Sequence, residues 1–175
     1  MKYVKKIEDW AEDLHKKLPH LPKSAQTWLA QNIWWIAIVG AGLSAISVIA
    51  SLQLIATLSS PTAFYGYPLV GVTHTGYAIT AALISLAFVV VTGLLLALAV
   101  KPLRAQSRKG WTLLFYALLV EAVSVVVNAI VNFNIFGFFF QIIFGAVFVA
   151  ITAYFIFEIR SHFLRTIRTK AAAKK

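Results

Sequence analysis

The chain has 175 residues, of which 60% are hydrophobic and 13% are charged, and its formal net charge is +10. About 25% of the residues of a soluble domain are charged, so this composition is typical of a membrane protein. Cysteine is absent, which excludes disulfides, iron–sulfur clusters and thiolate metal sites. Anionic lipid of the inner leaflet is the expected counter-charge, and we expect no nucleic-acid partner.

Residues 1–22 are predicted to form an amphipathic helix followed by a Pro-rich hinge. Apolar residues recur every three or four positions, as on one face of a helix: Tyr3, Ile7, Trp10, Leu14 and Leu18. The other faces are charged, and Pro19 and Pro22 prevent a smooth continuation into the next helix. Such a helix can lie in the membrane interface with Trp10 toward the acyl chains, which we favour, or pack on a cytoplasmic partner.

Residues 23–162 are predicted to form a bundle of four transmembrane helices, and residues 163–175 a basic cytoplasmic tail. About 20 apolar residues in a helix cross a bilayer core, and a helix satisfies its backbone within one such segment. Four segments have this length and contain no Lys, Arg, Asp or Pro: 33–58, 77–100, 111–131 and 135–159. The predicted fold class is therefore an all-α membrane protein with an N-terminal interfacial helix.

The distribution of positive charge predicts the orientation. All sixteen Lys and Arg residues fall before the first span, between the second and third spans, or after the fourth. The connections on the other side, 59–76 and 132–137, contain none. Because positive loops remain in the cytoplasm, we expect a multi-pass protein of the cell inner membrane with both termini cytoplasmic.

Aromatic residues are predicted to mark the two membrane interfaces. At the cytoplasmic side an indole can bury its ring while its N–H contacts water, and the predicted anchors are Trp10, Trp28, Trp34, Trp35 and Trp111. The residues expected at the opposite interface are Tyr65, Tyr67, Tyr77 and Phe133. The uncharged connection 59–76 could fold over the bundle mouth as a lid or only cover the helix ends.

The third span carries the one distinctive polar face. Glu121, Ser124 and Asn128 follow at steps of three and four, which places them on one side of a helix. Glu121 lies about 15 Å along the helix from Trp111, near the bilayer midplane. An unpaired charge at that depth is costly, so we expect a neutral acid that faces the bundle interior. The hydroxyls at a plausible depth to bond it are those of Ser44, Ser47 and Thr92.

Two roles remain open for Glu121. A lone intramembrane acid can take up and release a proton during transport, and Gln53, Asn128 and Gln141 could extend a polar path outward. Alternatively, the acid ties neighbouring helices together, with a stabilisation of about 0.6–2 kcal/mol per hydrogen bond.

Small residues on the first and fourth spans suit close helix packing, because helices in lipid have no hydrophobic drive to associate. On the first span they recur at steps of three and four, at Gly40, Ser44, Ser47 and Ser51. On the fourth span they are Gly145 and Ala146. Either set could pack the core of one chain or form a seam between two chains.

The remaining polar residues suggest no catalytic, metal or cofactor site. His15, His20 and His162 are predicted on the cytoplasmic side and His74 on the other, so no pair is placed to hold a haem between helices. The chain has no Gly-rich phosphate loop, zinc-protease helix or nucleophile elbow. We therefore expect no enzymatic activity, no metal and no cofactor.

Three segments resemble small four-span bacterial inner-membrane proteins of uncharacterised activity: 108–116 entering the third span, 157–163 leaving the fourth, and 18–23 before the Trp-rich first span. The resemblance implies a bacterial inner-membrane protein and supplies no activity or ligand. The function expected first is a membrane scaffold or accessory subunit, with a second copy or another membrane protein as a possible partner. The alternative is a small oligomeric proton-linked transporter or channel that works through Glu121.

Overall fold

The computed structural model describes residues 2–60, 72–131 and 135–163, and these ranges contain helices and no strand. The helices are α1 (Lys2–His15), α2 (Lys23–Leu58), α3 (Val72–Arg104), α4 (Arg108–Val131) and α5 (Ile135–Glu158). A further helical turn covers 160–163. Most of the connection 59–76, residues 132–134 and the predicted basic tail beyond residue 163 lie outside the described residues. The predictions for Tyr65, Tyr67, Phe133 and the side chain of His74 lie there too.

Helices α2 to α5 are each long and apolar enough to cross a membrane, so the predicted all-helical, four-span class is confirmed. Helices α2, α3 and α4 are longer than the predicted spans, whereas α5 ends one residue before the predicted end of its span. Helix α2 has 36 residues, or about 54 Å at ~1.5 Å per residue, and exceeds a hydrocarbon core of about 30 Å. It begins directly after Pro22. Hydropathy predicts only the part of a helix that lies in lipid, whereas a proline indicates where the helix can start.

The four spans pack in sequence, α2 against α3, α3 against α4 and α4 against α5. Small residues allow the first of these contacts. A Cβ atom on Gly40 would lie 2.9 Å from Leu96 Cδ1, and one on Gly93 would lie 2.8 Å from Ser44 Cβ. Gly40 and Ser44 therefore lie where the backbones of α2 and α3 approach closely.

The contact between α4 and α5 also depends on a glycine. A Cβ atom on Gly145 would clash with the branched side chain of Val125. The other small residues predicted to pack helices are not at these close contacts. Ser47 and Ala146 are exposed on the helix surface, and Ser51 is half-buried and donates its hydroxyl to the Ser47 carbonyl at 2.8 Å.

The tightly packed core lies at one end of the bundle. This end comprises α1, the start of α2, the turn between α3 and α4, and the end of α5. We call it the basic end, because the Lys and Arg residues that the structure describes lie there. The buried residues that form this core are Leu29, Ala30, Ile33, Ala37, Ala99, Leu103, Trp111, Leu114, Phe115, Leu118, Ile156, Phe157, Ile159 and Phe163.

Trp111 belongs to this core, which corrects its prediction as an interface anchor. Its side chain is 2% exposed, and its indole N–H donates to the Ile156 carbonyl at 2.9 Å rather than to water. Its ring stacks on Phe115 and meets Phe157 edge-on, with centroid distances of 5.4 and 5.7 Å. Hydropathy and position locate a tryptophan along the membrane normal, but they do not give the direction of its ring.

The other predicted anchors lie at the basic end with more exposed rings. Trp10, Trp28 and Trp35 are each more than half exposed. Trp34 is half-buried, and the guanidinium of Arg104 lies over its ring at 5.2 Å. A cation over an indole face is attracted by the ring quadrupole, so this contact ties the end of α3 to α2.

The turn between α3 and α4 brings backbone atoms into close contact. Gln106 has φ 47°, and both the amide and the hydroxyl of Ser107 donate to the Pro102 carbonyl, at 2.9 and 3.0 Å. A Cβ atom on Gly110 would lie 2.7 Å from the Leu103 nitrogen. The turn therefore requires glycine at this position.

We expect Gly110→Ala to destabilise the protein by about 1–3 kcal/mol, because the clash is with backbone that cannot rotate away. Gly42→Ala is the matched control, since a Cβ atom at Gly42 meets nothing within 4 Å, and it should be neutral or slightly stabilising. Thermal unfolding of both detergent-purified variants tests this. Equal melting temperatures for the two would contradict the described turn.

Candidate functional site

A cleft of about 590 Å³ opens on the bundle and is lined by side chains of all four spans. Its volume is within the range of about 300–1,000 Å³ that is usual for ligand pockets. Its walls are mainly apolar, and they are formed by Trp28, Leu29, Ile33, Ile36, Ala37, Gly40, Thr92, Leu96, Leu114, Ala117, Leu118, Glu121, Phe148, Thr152, Phe155 and Ile156. We call it the Glu121 cleft.

Glu121 is half-buried in this cleft and has no hydrogen bond to another described residue. None of the three hydroxyls expected to bond Glu121 does so. Ser44 donates to the Gly40 carbonyl of its own helix at 2.9 Å, and Ser47 is exposed. Thr92 also lines the cleft, but its hydroxyl oxygen is buried without a hydrogen-bond partner. The cleft therefore holds the carboxyl group of Glu121 within mainly apolar walls, as a site for an apolar ligand with a polar group would.

The rest of the predicted polar face ties helices together. Asn128 Nδ2 donates to the carbonyl and the hydroxyl of Ser124, at 2.9 and 3.1 Å. The hydroxyl of Ser85, on α3, donates to Asn128 Oδ1. Gln53 is exposed and Gln141 is half-buried, and neither lines the Glu121 cleft. The structure therefore does not join these residues to Glu121 in one polar path.

A second polar centre, which sequence reasoning missed, lies at the basic end around Glu158. The Glu158 side chain is fully buried. Its Oε1 accepts the Leu21 amide at 2.6 Å and the Gln26 side chain at 2.8 Å. Its Oε2 faces His15 Nε2 at 2.7 Å and His20 Nδ1 at 3.2 Å. We call these five residues the Glu158 cluster.

Arg160 forms a second tie between α1 and the end of α5. Its guanidinium contacts Glu8 Oε1 and Glu12 Oε2, each at 2.7 Å. It also lies over the Trp111 ring at 5.4 Å. Glu8 and Glu12 are one helical turn apart, so both can reach the same cation. The side chains of Arg160, Glu8 and Glu12 are partly buried, which reduces the screening by water that weakens surface ion pairs.

Together these contacts dock the N-terminal segment on the end of α5. The Tyr154 hydroxyl donates to the Pro19 carbonyl at 2.8 Å, and Val4 and Ala11 pack against the core. Two signals in the sequence could have indicated this docking. Glu158 is the one acid at the end of a span, and Glu8 and Glu12 are acids one helical turn apart on the N-terminal helix.

The apolar stripe of α1 remains largely exposed on the other side. The ring of Trp10 is 66% exposed. Trp10, Leu14 and Leu18 line an apolar groove of about 450 Å³ together with residues of α4 and α5 such as Val125 and Ile142. The stripe is therefore continuous with the membrane-spanning surface of the bundle.

Comparison with known proteins gives no relative. No protein-family model matches the chain, and no curated protein or solved structure matches it. The case for a function therefore rests on the residues of the Glu121 cleft and of the basic end.

We expect Glu158→Ala to loosen the N-terminal segment, because it leaves the Leu21 amide and the Gln26 side chain without their acceptor. A cost of about 1–3 kcal/mol for such a loss corresponds to roughly 5- to 150-fold more frequent local opening. Hydrogen exchange of peptides covering residues 2–21 measures it. The control is Asp9→Ala, which also removes a carboxylate but an exposed one. Unchanged exchange in Glu158→Ala would show that the cluster does not hold α1.

Proposed function

We propose that the protein is a scaffold or accessory subunit of a bacterial inner membrane, without enzymatic activity. The observation that carries the proposal is the docking of α1 by Glu158 and Arg160. Polar contacts in membrane proteins are most valuable where they fix one geometry, and here they fix a surface at the membrane boundary. A fixed surface of this kind suits the recruitment or support of another protein.

The orientation is part of the same proposal. Described cations at the basic end include Lys5, Lys16, Arg104 and Arg160, and the positive-inside bias supports a cytoplasmic location for this end and for both termini. The resemblance of the segments around Pro22 and Arg160 to bacterial inner-membrane proteins is consistent with this.

We further propose that α1 lies in the membrane interface with its apolar stripe toward lipid. The groove shared by Trp10, Val125 and Ile142 supports this, since the stripe continues the lipid-facing surface of α4 and α5. The polar face, with the exposed side chains of Lys6 and Asp13, would then face the cytoplasm and any partner. Anionic lipid would offset the excess of cations at this end.

The scaffold role predicts that partner binding depends on docked α1. We expect the double substitution Glu8→Gln and Glu12→Gln to release α1 from Arg160. The amount of partner protein cross-linked to the chain in native membranes should then fall severalfold. Asp9→Asn with Asp13→Asn is the control, because it removes the same charge from exposed positions of the same helix. Quantitative mass spectrometry of both samples measures the loss. If the wild-type chain carries no stoichiometric protein, whether another protein or a second copy, the scaffold role is wrong.

A second candidate function, a small oligomeric proton-linked transporter or channel, is favoured by one observation. Glu121 lines a cleft formed by all four spans, so a proton on its carboxyl group could be exchanged when a ligand binds there. An intramembrane acid that faces a cavity is a usual feature of proton relays. An oligomer is expected because four helices enclose little pore.

The transporter role predicts proton flux that depends on Glu121. Liposomes containing wild-type protein should show pH-driven flux, and Glu121→Gln should abolish it because Gln keeps the size and polarity of Glu but cannot release a proton. The unfolding temperature of Glu121→Gln should match that of the wild type, which controls for loss of the fold. Equal flux through wild-type and empty liposomes would reject this function.

A further inference from the structure

We propose that His15, His20 and Glu158 form a binding site for a divalent transition-metal ion of the Zn²⁺ class, and that the ion clips α1 to the end of α5. The three potential ligand atoms lie within 4.8 Å of one another. They come from the last residue of α1, from the linker that follows it and from the last residue of α5. A bound ion would therefore join segments that are far apart in the sequence.

The distances are close to those that one ion requires. Glu158 Oε2 lies 2.7 Å from His15 Nε2 and 3.2 Å from His20 Nδ1. Ligand atoms about 2.0–2.2 Å from a tetrahedral ion are roughly 3.3–3.5 Å apart, so shifts on the order of 1 Å complete the site. The His20 side chain can make that shift because it is 51% exposed, whereas the Glu158 and His15 side chains are 0% and 11% exposed and hold their positions.

His15 Nε2 supplies the independent observation. This nitrogen is buried and has no hydrogen-bond partner, although it lies 2.7 Å from Glu158 Oε2. The two atoms are within ion-pair distance, but their contact lacks the alignment of a hydrogen bond. A cation shared by the nitrogen and the carboxylate oxygen would satisfy both atoms.

The carboxylate is already oriented for this role. The Leu21 amide and the Gln26 side chain both bond to Oε1, which leaves Oε2 facing the two imidazoles. Hydrogen bonds to the far oxygen of a ligating carboxylate are the usual means by which proteins orient such a ligand. The Glu158 cluster thus contains three potential metal ligands and two groups, on Leu21 and Gln26, that orient one of them.

The surroundings allow a fourth ligand and tolerate the charge of the ion. A polar cavity of about 380 Å³ borders His20 and Glu158, so water or a partner side chain can complete the coordination. The two cations that line this cavity are offset by acids. Arg160 is paired with Glu8 and Glu12, and Lys16 is paired with Asp13 at 3.0 Å.

The chemistry of the ligands selects the class of metal. Two imidazole nitrogens and one carboxylate oxygen, with no thiolate, suit Zn²⁺ and other late first-row ions rather than Mg²⁺ or Ca²⁺. Because the ligands lie on both sides of the docking contact, binding should stabilise the docked position of α1. The inference goes beyond the scaffold role, since metal binding can be measured without any partner protein.

The test uses the full chain, purified in detergent with any affinity tag removed, and titrates it with Zn²⁺ by calorimetry and with Co²⁺ by visible absorption. The variants are His15→Gln and His20→Asn, which keep a hydrogen-bond donor close to the position of the ring nitrogen but are poor ligands. We expect the wild type to bind a single ion. Each variant should weaken binding at least about a hundredfold, beyond the ~10–100-fold typical of a supporting residue.

Two controls make the result decisive. His162→Asn changes a histidine of the basic end that is outside the three-ligand set, and it should bind as tightly as the wild type. Zn²⁺ should slow hydrogen exchange of residues 2–21 in the wild type and not in His20→Asn, whose substitution is at an exposed side chain and leaves the fold intact. If the wild type binds no stoichiometric Zn²⁺, or if His15→Gln and His20→Asn bind it as well as the wild type, the site does not exist.

Discussion

The fold depends on one constraint: helices in hydrocarbon satisfy their own backbone groups but gain no hydrophobic energy from packing against one another. What joins these spans is therefore close contact and a small number of polar ties. Gly93 lets α3 approach Ser44 of α2, and Ser85 bonds to Asn128 between α3 and α4. At the basic end, where water is near, aromatic packing around Trp111 and the buried Glu158 carboxylate add the strongest contacts. The bundle is accordingly tightest at that end.

The spans could be predicted because they depend on local composition. Twenty apolar residues without a proline identify a helix in lipid whatever its neighbours are, so α2 to α5 followed from hydropathy. The full length of α2 could not be predicted from hydropathy. The first ten residues of α2 are polar enough to lie outside the hydrocarbon, and only Pro22 indicates where that helix begins. The direction of the Trp111 ring could not be predicted either, because the helical periodicity of hydrophobic residues in α4 is weak.

The two candidate sites differ in how far the sequence could locate them. Glu121 stands out because an acid in an apolar run is rare and its depth follows from counting residues. Its lack of a hydrogen-bonding neighbour depends on how α2 and α3 are rotated, which no local pattern gives. The Glu158 cluster joins residues more than 130 positions apart in the sequence; Leu21 and Glu158, for example, are 137 positions apart. His15 and His20 appeared unrelated to any site because the acid between them comes from the other end of the chain.

The position of Gln26 has a mechanical consequence. It is near the start of α2 and bonds to Glu158 at the end of α5. Trp28, two residues after Gln26, and Ile156, two residues before Glu158, already line the Glu121 cleft. This hydrogen bond therefore links α2 to α5 beside the cleft. A ligand that moved α2 away from α5 would break this bond and disturb the carboxylate that holds α1; by thermodynamic reciprocity, a change that strengthens the docking of α1 would then oppose entry of that ligand by the same free energy.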